Sequence, residues 1–424
     1  MTTTINNEHK ELNFSSEREQ SQACLNSAEH EKNQGRKVLN VPNLRFPEFQ
    51  GEWEEERLAD IADLYKGTGI SKDQLSDDGE PCILYGELYT KYKSETIREV
   101  ISKTNIDNTK LARSKANDVI IPCSGETAED IATARCVLNG NILLGGDLNI
   151  IRLHGYDGTF MSYQLNGKRK YDIAKVAQGV SVVHLYGEHL KGVKTINPCL
   201  TEQKKIASLL TLLDERIATQ NKIIEDLKKL KCTIIEKLYS KIQGKEYSYG
   251  QLFGVVNERN KQMKYSNILS ASQEKGMVNR DDLNLDIQFE RSNINTYKIV
   301  RKGDYVIHLR SFQGGFAFSD KLGVCSPAYT ILRPNNLLEY GYLSYYFTSQ
   351  RFIKSLIIVT YGIRDGRSIN VEEWLNIKVV IPSKEHQLHT LSILKSIDDK
   401  IENEETYATC LSNQKQYLLH HMFI

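Results

Sequence analysis

From Glu202 to Ile242 the chain contains neither Gly nor Pro. Apolar residues step through this run by fours and threes: Leu210, Leu213, Ile217, then Ile224, Leu227, then Ile234, Leu238. A 3.5-residue repeat keeps one narrow stripe turned toward a partner helix. At about 1.5 Å per residue such a run spans roughly 60 Å, far more than a small domain needs for its core. Two stripe positions, Gln220 and Lys231, are polar. The run therefore predicts a long helix with a partner.

A chain of 424 residues accommodates two or three domains with proper cores. No apolar stretch approaches a membrane span, and the polar N-terminus has no signal-like apolar segment, so a cytoplasmic protein is expected. The eight cysteines are scattered without CxxC spacing, which favours reduced, buried thiols over disulfides or a zinc site. Lys and Arg number 55 against 54 Asp and Glu, so any polyanion-binding surface must come from local segregation of charge.

Residues 1–42 are polar and poor in large apolar side chains, the composition of a flexible tail. The chain then reads as two copies of one plan. In the first copy, Leu58–Leu64 and Phe160–Ala174 read as helices and Asp118–Pro122 and Leu148–Leu153 as strands. In the second, Gly303–Ile307 and Tyr329–Leu332 read as strands and Tyr340–Ile353 as a helix, followed by a loop over 361–368. Pro198, Gln203, Leu210, Asp214, Leu227 and Lys231 find Pro382, Gln387, Leu394, Asp398, Leu411 and Lys415 at a constant offset of 184. Two unrelated amphipathic helices would share an apolar stripe but not the lone Lys within it. The predicted fold is α+β (mixed) with a pseudo-twofold internal duplication. It comprises a tail (1–42), a globular domain (43–198), a helical region (199–243), a second globular domain (244–384) and a second helical region (385–424).

The polar stripe residues choose how the two long helices pair. A parallel, in-register pair would set Lys231 against Lys415 in a partly dry seam. An antiparallel coiled coil instead offers Lys231 against Glu404 and Gln220 against Lys415, with Ile224–Leu411, Leu227–Ala408 and Ile217–Leu418 as apolar layers. Ile234 and Ile401 extend the same seam. Slips of a whole heptad preserve this logic, so direction is better specified than register.

Enzyme motifs are missing. There is no GxxxxGK[ST] loop and no GxGxxG after a strand, and Gly67-Thr68-Gly69 and Gly145-Gly146-Asp147 read as plain turns. Asn197-Pro198-Cys199-Leu200 lacks the second Pro and the aromatic of an amino-methyltransferase site. No metal-ligand spacing occurs among the histidines. Charge is more informative: residues 164–205 hold eight Lys/Arg against three acids, and the matching stretch 340–384 holds six against three. Recurrence at matched places suggests phosphate-facing surfaces. Arg and Gln side chains suit bidentate contacts to base edges. The candidate DNA-contact residues are Ser124, Glu126, Thr127, Lys168, Arg169, Gln178, Ser181 and His184 in the first copy. In the second they are Arg310, Gln313, Tyr361, Arg364 and Arg367.

Several segments resemble the specificity subunits of type I restriction-modification systems. They are Leu44-Arg45-Phe46-Pro47 with Gly51-Glu52-Trp53, Pro198…Glu202-Gln203-Lys204-Lys205-Ile206, Arg310-Ser311-Phe312-Gln313-Gly314-Gly315…Ser326-Pro327-Ala328-Tyr329, and Ile381-Pro382…Gln387. The resemblance implies two target-recognition domains, each reading half of a split sequence in double-stranded DNA. The helices would act as a ruler for the unread spacer and as a docking surface for two methyltransferase subunits. S-adenosylmethionine, ATP and Mg would then belong to the methyltransferase and restriction subunits, and this chain would hold no catalytic residue. One departure is His386 where the first copy has Glu202. Two rival readings are a coiled-coil scaffold unrelated to DNA and a degenerate methyltransferase or nuclease.

Overall fold

The computed structural model describes residues 39–424 apart from 108–109, 180–181, 273–274, 283–290, 309–314 and 362–367. Most of the tail expected over 1–42 therefore lies outside the described residues. The chain forms two compact units, one made of residues up to Glu215 together with Asn413–Ile424, the other of Arg216–Ser412.

In the first unit the central sheet is built on β1 (Ala62–Lys66), β2 (Asp118–Pro122) and β3 (Leu148–Leu153), with β3 antiparallel to both neighbours. In the second, β4 (Phe253–Val256), β5 (Tyr305–Ile307) and β6 (Thr330–Pro334) repeat the arrangement, β6 lying antiparallel between the other two. The duplication extends to the closing pair of each unit. Glu54–Arg57 pairs with Lys194–Asn197, and Lys245–Ser248 pairs with Lys378–Ile381. β2 is buried along its whole length, which is why DVIIP reads as a continuous apolar run behind one Asp. That Asp recurs as the fastening of each sheet. Asp118 accepts from Arg152 at 2.9 and 2.7 Å and from the Lys115 amide at 2.7 Å. Asp304 accepts from Arg333 at 2.8 and 2.9 Å and from the Arg301 amide at 2.8 Å.

Three predicted helices are shorter or divided. Helix Leu58–Ile61 stops where Ala62 begins β1, because pairing to β3 outcompetes further helix. The run expected over 160–174 splits into Gly158–Asn166 and Lys170–Val176 at Gly167, whose amide closes the first helix on the Tyr163 carbonyl. The run expected over 340–353 splits into Tyr342–Tyr346 and Gln350–Ser355, because Ser349 caps the second by accepting from the Phe352 amide.

The long helices run over Leu200–Ser240 and Lys384–His421. Each starts after a Pro and is fastened by the matched glutamine. Gln203 Nε2 donates to the Pro198 carbonyl at 2.8 Å and Gln387 Nε2 to the Pro382 carbonyl at 3.1 Å. Every expected seam position, Ile217, Gln220, Ile224, Leu227, Lys231 and Ile234 with Ile401, Glu404, Ala408, Leu411, Lys415 and Leu418, is buried or half-buried. The polar partners differ from those expected. Lys231 meets Asp398 rather than Glu404, a shift of about one heptad. Gln220 donates to Glu404 rather than facing Lys415. Asp398 also accepts from the Tyr345 hydroxyl at 2.6 Å, whereas Glu404 is taken up by Gln220 and Lys400.

Candidate nucleic-acid interface

The register of the first sheet brings Lys66, Pro122 and Leu148 to one end. The loops that leave this end are tightly fitted. A Cβ on Gly67 would lie 2.0 Å from the Gly145 carbonyl oxygen, so the two glycine turns read from the sequence pack against each other. Beyond β2, Ser124–Gly125 pairs with Val183–His184, and His184 in turn exchanges backbone hydrogen bonds with Gln178 at 2.9 and 2.7 Å. Ser124, from the turn after β2, and Gln178 and His184, from one later loop, thus meet at one edge. Glu126 is exposed in the adjoining turn. Thr127 is spent on capping helix Ala128–Ile131, accepting from the Asp130 amide at 3.0 Å. Ser181 lies outside the described residues.

Tyr186, which the sequence did not single out, stacks on His184 with centroids 6.2 Å apart and is 54% exposed. An aromatic in an irregular segment carries no periodic signal, and only the Ser124–His184 pairing marks its place. Lys168 and Arg169 do not join this cluster. Arg169 donates to the Ile424 carbonyl at 3.0 Å, and Lys168 lines a cavity of about 350 Å³ with Glu95, Lys415 and His420.

In the second unit, the pairs Val256–Ile331 and Ile307–Thr330 gather the corresponding strand ends. Arg259 forms a backbone bridge to Lys298, whose ammonium donates to the Tyr329 carbonyl at 2.6 Å, and the Tyr329 ring lies 6.1 Å from His308. Burial holds the Lys298 pKa below the usual lysine value, the Cys325 thiol opposing this and the Arg259 charge adding to it. Arg310, Gln313, Arg364 and Arg367 lie outside the described residues. Tyr361 belongs to strand Thr360–Tyr361, paired with Ser368–Ile369.

Each unit also holds a clasp of tyrosine, aspartate and lysine. In the first, the Lys415 ammonium lies 2.9 Å from Glu95 and 2.7 Å from Asp214, over the Tyr163 ring, and the Tyr163 hydroxyl donates to Asp214 at 2.7 Å. In the second, Lys231 lies 2.5 Å from Asp398, over the ring of Tyr345. Tyrosine and aspartate come from one repeat and the lysine from the helix of the other, in both units. Burial pushes the Tyr163 hydroxyl pKa up, with the Asp214 charge adding to it. Burial opposes the charge on Lys415, but the fields of Glu95 and Asp214 outweigh it and hold the ammonium above the usual lysine pKa.

Burial also raises the Glu95 pKa from 4.5, Lys415 opposing and Asp214 reinforcing the rise. Between pH 4.5 and the raised value, the folded chain thus keeps a proton that the unfolded chain has released. Stability should therefore fall as pH rises from 4.5 through the raised value, and Glu95→Gln should flatten the fall in urea midpoints. An equal slope in both proteins would remove Glu95 as its source.

Among the described residues no group of His, Cys, Asp and Glu could hold a metal ion, and no helix is long and apolar enough to cross a membrane. Residues 50–229 and 241–409 match the type I restriction modification DNA specificity domain. The chain is 26% identical over 397 aligned residues to the type I restriction enzyme MjaVIII specificity subunit of Methanocaldococcus jannaschii, covering 85% of this chain and 88% of that protein. A putative MjaX specificity subunit of the same organism is 24% identical over 418 residues, with 86% and 91% covered. In fold, the chain resembles the crystal structure of a type I restriction-modification S subunit from M. genitalium. The TM-score is 0.55 at 18% identity, with 91% of this chain and 99% of that one covered. A second solved chain, from a study of assembly and conformational transition in a type I R-M system, gives 0.55 at 14% identity, with 88% and 97% covered. With both halves of the duplication matched, the chain belongs to the type I restriction modification DNA specificity family.

Proposed function

We infer that the chain recognises DNA for a type I restriction-modification complex, each globular unit reading one half of a bipartite target. The observation that carries this reading is the recurrence of one sheet end in both units. Loops with Ser124, Gln178, His184 and Tyr186 leave it in the first, and Arg259, Lys298, His308 and Tyr329 gather there in the second. Polar side chains on loops fixed by a sheet are suited to base edges, and cations to phosphates.

The long helices pair antiparallel and serve as spacer and docking platform. In support, the partner of Gln220 is Glu404 and that of Lys231 is Asp398, the second number falling as the first rises. Ile223 and Leu230, one heptad apart, are 41% and 51% exposed, which suits them to cover by methyltransferase subunits. Adenine methylation then uses S-adenosylmethionine on those subunits, and cleavage uses ATP and Mg on restriction subunits.

Co-expression with the co-encoded methyltransferase should leave one split sequence methylated in a long-read modification map, and its absence would refute the reading. His184→Ala should weaken binding by roughly 1–3 kcal/mol and relax the half-site read by the first unit alone. An equal loss on every sequence would assign His184 to the backbone instead.

A further inference from the structure

The loop that leaves β4 in the second unit is Arg259-Asn260-Lys261-Gln262-Met263-Lys264-Tyr265. Asn260 is only 1% exposed, and its polar groups are spent on holding this loop in one shape. Its amide donates to the Tyr297 carbonyl at 2.8 Å, and its carbonyl accepts from the Met263 amide at 2.8 Å. Its side chain donates to the Tyr265 carbonyl at 2.7 Å and accepts from the Tyr265 amide at 3.2 Å.

So held, Met263 has a φ of +50°, a left-handed conformation that side chains other than Gly, Asn or Asp rarely adopt. Its apolar side chain is nonetheless 59% exposed. A turn serving only to connect two strands would be less strained with Gly or Asn there. Around Met263, the side chains of Arg259, Lys261, Gln262 and Lys264 are all exposed. The adjoining Glu258 is taken up by Arg301 at 3.0 Å. Among the described residues no carboxylate pairs with Arg259, Lys261 or Lys264.

An apolar tip flanked by exposed cations, on a loop held by Asn260 at the sheet end proposed above to face DNA, has one chemistry that satisfies both features. Duplex DNA offers dense phosphates on either side of a groove whose floor accepts apolar side chains, methionine among them. We infer that this loop is a preformed DNA-contact element, with Lys261 and Lys264 on phosphates and Met263 inserted into the groove between them. The inference rests on the DNA reading proposed above. Because Asn260 orders the loop beforehand, little conformational entropy is lost on binding.

The test is the salt dependence of DNA affinity for the full chain assembled with its methyltransferase subunits. It is measured on a random duplex and on one carrying the mapped target. Each phosphate neutralised by a cation adds about 0.9 to the slope of log K against log salt. Lys261→Ala with Lys264→Ala should therefore make that slope shallower by about 1.8, equally on both duplexes. Met263→Asn suits the left-handed backbone and so preserves the loop. It should weaken binding about fivefold at unchanged slope, through the loss of apolar burial. A double-lysine variant with the wild-type slope, or Met263→Asn binding as tightly as wild type, would overturn the inference. A wild-type complex that binds neither duplex would overturn the DNA reading itself.

Discussion

Lys415→Ala should lower the stability of the first unit by about 3–5 kcal/mol, the usual cost of removing one member of a buried charge cluster. Its ammonium is the cation shared by Glu95 and Asp214, whose side chains are 12% and 10% exposed, while that of Lys415 is 14% exposed. Without it two carboxylates face each other away from water, and the Tyr163 hydroxyl can satisfy only Asp214. The second clasp supplies the internal control. Lys231 and Asp398 are 27% and 36% exposed, and the lysine serves one carboxylate, so Lys231→Ala should cost only about 1 kcal/mol. The chain has two tryptophans, Trp53 in the first unit and Trp374 in the second. Urea unfolding followed by the fluorescence of Trp53 in a Trp374→Phe background therefore reads the first transition. Adding Glu95→Gln and Asp214→Asn to Lys415→Ala should recover much of the loss, because it removes the repulsion. A Lys415→Ala chain no weaker than Lys231→Ala would show that the first clasp is not a closed electrostatic unit.

Asp304→Ala should cost the second unit about 3 kcal/mol. Asp304 is 1% exposed and fastens both the Arg333 guanidinium and the Arg301 amide at the head of β5. Truncation strands all three donors at once, whereas Asp304→Asn keeps an acceptor and should cost less. Asp118→Ala breaks the matching arrangement with Arg152 and Lys115, so the two losses should agree within about 1 kcal/mol. Trp374, stacked on Tyr249 at 4.2 Å in the core of the second unit, reports the first loss, and Trp53 the second. If Asp304→Ala proves silent while Asp118→Ala does not, the two fastenings are not equivalent.

Legibility in the sequence depends on whether a residue's partner lies within reach of a local pattern. β2 and β3 are legible with their observed limits, because a buried strand is a continuous apolar run. The division of helix 158–176 at Gly167 is not, because the apolar rhythm continues across the turn. The match of Gln203 with Gln387 is visible as spacing, but their task is not. Gln203 Oε1 accepts from the Asp157 amide at 2.9 Å and Gln387 Oε1 from the Glu339 amide at 2.8 Å, which fastens each helix start to a loop distant in sequence. Arg169 belongs to a basic cluster that suggests phosphate contact, yet its guanidinium is on the Ile424 carbonyl, because such a cluster does not reveal which cations are already occupied.

By itself the sequence determined the duplication, the two long helices and the stripe each turns inward, since these rest on periodicity and constant offset, both local or self-comparing properties. It also brought out Lys231 and Lys415 as the polar members of that stripe. Only the tertiary structure decided which acids they meet. A heptad slip leaves the apolar layers nearly equivalent in energy, so the choice falls to groups outside the stripe. Those groups are the hydroxyls of Tyr163 and Tyr345, which hold Asp214 and Asp398 in place from the globular part of each unit.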